Sequence, residues 1–354
     1  MPLLDLPNEL LQVIAEELEL ASDINAFAQT NTRLYRLLNT YLYLYDVNQL
    51  GSSALYWATK HGQEATTRKS LQQGAHIESM FESNRTPLAL AAENGHEIVV
   101  KLLLTTEGVN PDSKDVFKRT PLSLAAEKGH NAVVNLLLLT SGVDPDSRDH
   151  QGQTPLSWAA EYGREAVVKL LLSTEGVNPN SKDQNRRTPL LHAAEKGREA
   201  VIKLFLATDS VDPDCRGSLG WTPLALAAQR GHEVVVKLLL DVKSVDADSN
   251  NYLKRTPLSL AAQSGHDAVV KLLLAMAGVN PDSKDSDGQT PLSQAAENGR
   301  EAVVKLLLAT RGVNPNSKDF FERTPLSLAT RNGHKTIVKL FQIHGLAGRD
   351  IANH

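Results

Sequence analysis

The tripeptide Thr-Pro-Leu occurs eight times at an unchanging spacing of 34 residues, at Thr86, Thr120, Thr154, Thr188, Thr222, Thr256, Thr290 and Thr324. Each copy heads the same phrase, written out in full from Arg119 through Thr120, Pro121, Leu122, Ser123, Leu124, Ala125, Ala126, Glu127, Lys128 and Gly129 to His130. Val133, Val134 and Leu136 to Leu138 follow it. A fixed period of this length marks a supersecondary unit stacked on copies of itself, because one unit cannot bury its apolar face alone.

The phrase dictates local structure. Threonine caps a helix with its hydroxyl, and proline at the next position presets the helical backbone. Leu122, Ala125 and Ala126 face inward. Gly129 ends the helix in the left-handed conformation that glycine enters cheaply. A second helix carries Val133, Val134 and Leu136 to Leu138. Gly142 and the Asp144-Pro145 turn then lead into a loop whose tip spans Asp149 to Gln153. A worn copy, Ser53 to Thr59 with Gly62, lies 33 residues before Thr86 and lacks the proline, which brings the count to nine. Terminal repeats are expected to be atypical. At the other end, Thr330, Arg331 and Lys335 make the last outer face wetter.

This wording resembles the ankyrin repeat. The resemblance implies an all-α solenoid of about nine helix-turn-helix repeats over residues 49–345, with loops projecting as short β-hairpin fingers and a tail at 346–354. It also implies a concave face that binds other proteins, lined by the finger tips and the ends of the inner helices.

Composition agrees with a packed array. Hydrophobic residues make up 41% and aromatics only 5%, so the core is expected to consist of Leu, Val and Ala. The single cysteine, Cys215, excludes an intramolecular disulfide framework and fits a reducing compartment. Met1 to Leu20 holds five acidic residues and no Lys or Arg, unlike a signal or transit peptide, and no apolar run reaches membrane-spanning length. A cytoplasmic or nuclear protein is expected. Residues 1–50 carry seven acidic residues and two arginines, whereas the other 304 carry 34 acidic and 35 basic ones. The array is therefore nearly neutral, and neither nucleic acid nor membrane is expected as a partner.

No catalytic, metal-binding or cofactor-binding constellation is present, so an enzyme is not expected. His96, His130, Arg164, Arg198, His232, His266, Arg300 and His334 recur after the repeat glycine, one per repeat, and read as surface or inter-repeat hydrogen-bonding groups. The recurrent glutamates (Glu93, Glu127, Glu161, Glu195, Glu297) and the lysine stripe from Lys101 to Lys305 read as solvated faces.

Positions that vary between copies carry the information about a target. Five of every 34 residues qualify: those four, three and one before each threonine, and seven and eight after it. Eight aromatics lie between Glu82 and His334, and six occupy these positions: Phe117, Tyr162, Trp221, Tyr252, Phe320 and Phe321. Trp158 and Phe205 are the exceptions. Arg85, Arg119, Arg187, Arg255 and Arg323 share the same rim. Aromatics and arginine dominate binding hot spots, so these eleven residues are the expected target-binding set. Gly152, Gly220 and Gly288 alternate with Lys118, Arg186, Lys254 and Glu322, as growth by duplicated pairs of repeats would leave them.

Residues 1–48 differ. Pro7 opens an apolar-periodic segment with Leu10, Leu11, Ile14 and Leu18. A second helix is expected around Ile24, Phe27 and Ala28, and a third from Asn31 or Thr32 through Leu34, Leu37, Leu38 and Tyr41, with a joint at 44–52. Three such short helices cannot bury their apolar residues among themselves. Leu6-Pro7-Asn8-Glu9-Leu10, then Ser22-Asp23-Ile24 and Asn31 to Tyr35, resembles an F-box. That resemblance implies docking onto a Skp-type adaptor of a cullin–RING ubiquitin ligase, anchored by Leu6, Pro7, Leu10, Leu11, Ile24 and Phe27. It departs from the family in lacking a Trp near Tyr35. The alternative is a non-ligase scaffold or inhibitor in which these helices only cap the stack.

Overall fold

A computed structural model describes residues 6–17 and 27–351. All regular structure among the described residues is helical. Each Thr-Pro-Leu opens a short inner helix: Pro87–Glu93, Pro121–Lys128, Pro155–Glu161, Pro189–Glu195, Pro223–Arg230, Pro257–Ser264, Pro291–Glu297 and Pro325–Arg331. The outer helices are Glu97–Leu104, Asn131–Leu138, Glu165–Leu172, Glu199–Leu206, Glu233–Leu240, Asp267–Leu274, Glu301–Leu308 and Lys335–Ile351. With the worn pair Ser53–His61 and Glu64–Gln72 these are repeats 1 to 9.

The repeated residues build the repeat as the sequence implies. Every threonine sits in extended backbone and accepts the N–H three residues on, at 3.2 Å for Thr120 and Thr222. Such a cap is worth about 1 kcal/mol. Leucine and alanine of the inner helix pack against two valines and a leucine of the outer one, as with Leu224, Ala227 and Ala228 against Val235, Val236 and Leu239, all fully buried. The recurrent histidine fastens one repeat to the previous one. The Nε2 of His232 lies 2.9 Å from the Glu195 carbonyl, and its ring covers Gly197, where a Cβ would come within 2.6 Å of it. Where arginine replaces histidine, Nε of Arg198 or Arg300 donates to the carbonyl of Glu161 or Gln263 at 2.9 and 3.0 Å.

The chain forms two compact units, Met1–His150 with Thr174–Gly176, and Gln151–Ser173 with Val177–His354. In the first, Asn8–Glu16, a helical turn at 27–29 and Thr32–Gln49 enclose a small core of Leu11, Ala15, Ala28, Leu34 and Leu38. Asn31 caps the long helix, accepting the Arg33 N–H at 2.7 Å. The Arg33 guanidinium reaches back to the Leu6 carbonyl and Asn8 Oδ1 at 2.9 and 2.8 Å. The joint expected at 44–52 is shorter than that, because the helix runs on to Gln49. Asp46 explains the continuation. Its carbonyl accepts the N–H groups of Leu50 and Ser52, and its carboxylate takes the Ser53 hydroxyl and the Ala54 N–H. It thereby caps the first repeat, which has no threonine of its own to do so.

The second unit holds repeats 4 to 9. Its last outer helix extends to Ile351, through much of the expected tail, and Thr330, Arg331 and Lys335 are exposed as expected of a wet end face.

Candidate protein-binding surface

The loop before each threonine folds back on itself as a finger. In repeat 5, Asp183 N–H donates to the Arg187 carbonyl at 3.0 Å, and Arg186 N–H donates back to the Asp183 carbonyl at 2.9 Å. The aspartate carboxylate accepts the Arg187 N–H at 2.8 Å. Asp115, Asn251, Asp285 and Asp319 do the same in their fingers. These are hairpin turns closed by one backbone pair, and no strand ladder forms among the described residues. Adjacent tips are joined by a backbone hydrogen bond, such as Tyr252 N–H to the Leu219 carbonyl at 2.8 Å and Phe320 N–H to the Asp287 carbonyl at 3.0 Å.

The rim arginines and the recurrent glutamates find each other, which corrects the reading of the glutamates as a solvated face. Arg85 pairs with Glu93 at 2.5 Å, Arg119 with Glu127 at 3.3 Å and Arg187 with Glu195 at 2.8 Å, always eight residues on. Gln289 bonds Glu297 at 2.8 Å in the same register. Arg119 and Arg323 also pair with their finger aspartates, Asp115 and Asp319, at 3.1 and 2.7 Å, and Arg255 approaches Asp285 at 3.6 Å. Arg85, Arg119 and Arg187 therefore brace their fingers against the inner helix as well as bordering the face. Burial pushes the Glu195 carboxyl up, but the Arg230 hydrogen bond and the charges of Arg187 and Arg230 together hold it below the ordinary glutamate value.

The aromatics divide. Phe320, Tyr252 and Phe321 are 74%, 71% and 68% exposed, and Phe117 and Tyr162 about half so. Trp221 is half-buried. Arg119 lies over the Phe117 ring at 5.1 Å, and Arg323 over Phe321 at 4.8 Å. Tyr162 stacks on Trp158 at 6.0 Å between ring centroids. Phe205, off the rim in sequence, is fully buried core. Tyr252 and Phe320 lie over Gly220 and Gly288 of the preceding fingers, where an added Cβ would come within 3.0 and 2.9 Å of the ring. The alternating glycines thus make room for the next finger, a packing reason that the sequence alone did not reveal.

Of the target set, Arg187 and Trp221 line one recess of about 320 Å³ in the second unit. Leu219 and Arg230 line it too, and the sequence reading missed both. Leu219 occupies one of the variable positions, so counting aliphatic residues along with aromatics would have found it. Tyr252 and Arg255 stand on the next finger, and Phe320, Phe321 and Arg323 on the last. Arg85, Phe117 and Arg119 belong to the first unit.

Of the adaptor set, Leu11 is fully buried and Leu6 and Phe27 pack around it, so these three hold the small bundle together. Pro7 and Leu10 are exposed, as is Val13 one turn further on. Ile24 lies outside the described residues.

Cys215 stands where other repeats have serine and approaches Thr188 Oγ1 at 3.1 Å. Burial pushes its thiol up to about 11, which makes it a poor nucleophile. No group of three or more His, Cys, Asp or Glu among the described residues could hold a metal ion, and no described helix is long and apolar enough to cross a membrane.

Stacked helix pairs, a capped inner helix and a finger at every joint define a helical-repeat solenoid. The model for ankyrin repeats in three copies matches residues 25–115, 99–183, 122–217, 169–250, 206–285 and 270–351. The chain belongs to the ankyrin-repeat family, and its repeats are a scaffold for binding another protein. Ankyrin-repeat proteins are in general non-enzymatic. Comparison with curated proteins gave no match.

Proposed function

We propose that this chain is the substrate-recognition subunit of a cullin–RING ubiquitin ligase. Residues 1–48 dock onto a Skp-type adaptor, and the fingers of residues 49–345 hold the target protein. The chain carries no chemistry of its own in this reading. It holds the target beside a ubiquitin-charged enzyme supplied by its partners, turning a bimolecular encounter into a local one. Such a complex works in the cytoplasm or nucleus.

The observation that carries the reading is the Leu6-Pro7-Asn8-Glu9-Leu10 opening, on a helix whose Leu10 and Val13 remain 49% and 50% exposed. Burying one such side chain against a partner is worth roughly 1.5–3 kcal/mol. Co-expression with a Skp-type adaptor tests it. The wild-type chain is expected to co-purify with the adaptor and Leu10→Glu to lose it, with the melting curve unchanged because Leu10 lies outside the small core. Failure of the wild type to capture the adaptor, or capture unaffected by Leu10→Glu, would remove the ligase role.

A second reading, a plain scaffold or inhibitor whose first helices cap the stack, is favoured by Asp46. That residue welds the long N-terminal helix onto the first repeat, and the first family match already begins at residue 25. The same co-purification separates the two.

A further inference from the structure

The fingers of repeats 5, 6 and 7 carry exposed side chains in left-handed backbone, as do those of repeats 2, 3 and 9, and within the second unit they stand apart in charge. Arg186, Leu219 and Lys254 have φ of 56°, 57° and 53°, a left-handed conformation that side chains other than glycine avoid. All three are exposed at the finger tips. Glycine holds the Arg186 and Lys254 position in the fingers between, at Gly152, Gly220 and Gly288. The turn itself needs none of these side chains, since glycine serves it in neighbouring fingers, so they are free for contact rather than folding.

Charge points the same way. At the four positions before Thr188, Thr222 and Thr256, and the two at the ends of the inner helices behind them, stand Arg186, Arg187, Lys196, Arg230, Lys254 and Arg255, against Glu195 alone. Arg187 and Arg230 share Glu195 at 2.8 and 2.6 Å, Lys196 reaches Glu161 at 3.4 Å, and Arg255 approaches Asp285. Arg186 and Lys254 make no ion pair with any described residue. Repeats 8 and 9 of the same unit carry Asp287, Glu297 and Glu322 at matching positions, with Arg323 and Arg331. Within the second unit the positive charge is therefore concentrated in repeats 5 to 7. The recess bordered by Leu219 and Trp221 lies between the fingers of repeats 5 and 6, and Tyr252 and Leu253 are exposed on the finger of repeat 7.

We infer that the fingers of repeats 5 to 7 bind an acidic segment of the partner protein, with Leu219 and Trp221 taking an apolar side chain and Arg186 and Lys254 pairing with carboxylates on either side of it. The inference rests on the target-holding part of the reading above and is independent of the adaptor. Apolar burial fixes the segment, and the two cations select it against neutral or basic competitors.

A phage-displayed library of random twelve-residue peptides, selected on the full chain, tests this. The double variant Arg186→Glu, Lys254→Glu keeps the fold, because Glu322 already occupies the same position with φ of 59°. Recovered peptides are expected to be rich in Asp and Glu beside a large apolar residue, to weaken with salt, and to bind the double variant at least tenfold less tightly. Trp221→Ala is expected to weaken them as well. Recovered peptides without acidic excess, or equal binding to wild type and double variant, overturn the proposal. If those peptides still lose affinity for Trp221→Ala, the target face stands and only its preference for acid falls; indifference to all three substitutions removes both. A library that yields no binder also overturns it, as does tighter binding of a (dT)20 oligonucleotide than of any recovered peptide.

Discussion

The joints between repeats and the tips of the fingers are a few residues apart in sequence, yet they answer to different demands. At the joints the same atoms meet in copy after copy. A threonine caps, a histidine or arginine reaches the previous repeat's carbonyl, and valine and leucine fill the same space. At the tips the backbone is equally fixed, but the side chains it carries differ, and some sit in conformations that glycine would hold more cheaply. Sameness therefore reports what stacking needs, and difference reports what stacking leaves free. The two regions should respond oppositely to substitution, and the contrast can be broken at either end.

The largest effect is expected at the joint. Leu224 is fully buried between inner and outer helices, and Leu224→Ala should cost about 2–5 kcal/mol through lost contact and a residual cavity. Thr222→Ala, which removes the cap 3.2 Å from Ala225 N–H, should cost about 0.5–2 kcal/mol. Urea unfolding of the full chain measures both. An effect below 0.5 kcal/mol at Leu224, where about 2–5 is expected, would mean that the stack repacks freely and that the joints are not what the repeats preserve.

An intermediate effect is expected at the turn leading into the finger, where Asp214 stands. Burial, with Asp246 and Asp212 close by, pushes its carboxyl up to about 6, and its Oδ1 has no hydrogen-bond partner. Asn180 and Asn316 occupy the same register in other repeats. A carboxyl raised on folding contributes stability that is fully present below its unfolded value near 3.8 and is lost as pH rises through about 6. Asp214→Asn should therefore stabilise the chain at pH 7.5 by about 1 kcal/mol, once solvent screening at a half-buried site is allowed for. That gain should shrink toward zero as pH falls to 4. Melting temperatures of both proteins at pH 4, 6 and 7.5 decide the matter. A gain that does not change with pH would assign the effect to something other than the carboxylate.

The fold was legible because its signals are local and repeated eight times. Thr120, Pro121, Leu122 and Gly129 announce cap, helix start, core and stop within ten residues, and the structure uses each for that purpose. What escaped lies in contacts across sequence distance. Glu127 reads as a surface residue in its own helix, and only the Arg119 guanidinium folded over it makes it a buried partner. Asp46 reads as one more polar residue after Tyr45, because nothing in a single sequence says that a helix end seven residues later lacks its own cap. The binding face was half legible. Variation between copies singled out five positions, but Leu219 at one of them escaped a search for rings, and the left-handed backbone at Arg186 and Lys254 has no signature in residue type.

The smallest effect on stability is expected at the finger tips, and it has the opposite sign. A side chain in left-handed backbone costs roughly 1–2 kcal/mol, and glycine there gives back part of the gain through the greater freedom of its unfolded chain. Arg186→Gly and Lys254→Gly should thus leave stability unchanged or raise it by up to about 1 kcal/mol, since Gly152, Gly220 and Gly288 already serve at this position. Neither side chain is held by an ion pair with a described residue, so nothing in the fold opposes its loss. Chemical denaturation at two salt concentrations provides the measurement. A loss of stability in either variant would show that the side chain belongs to the stacking frame. A gain, or no change, would mean that the chain tolerates strain at these two tips for something outside itself.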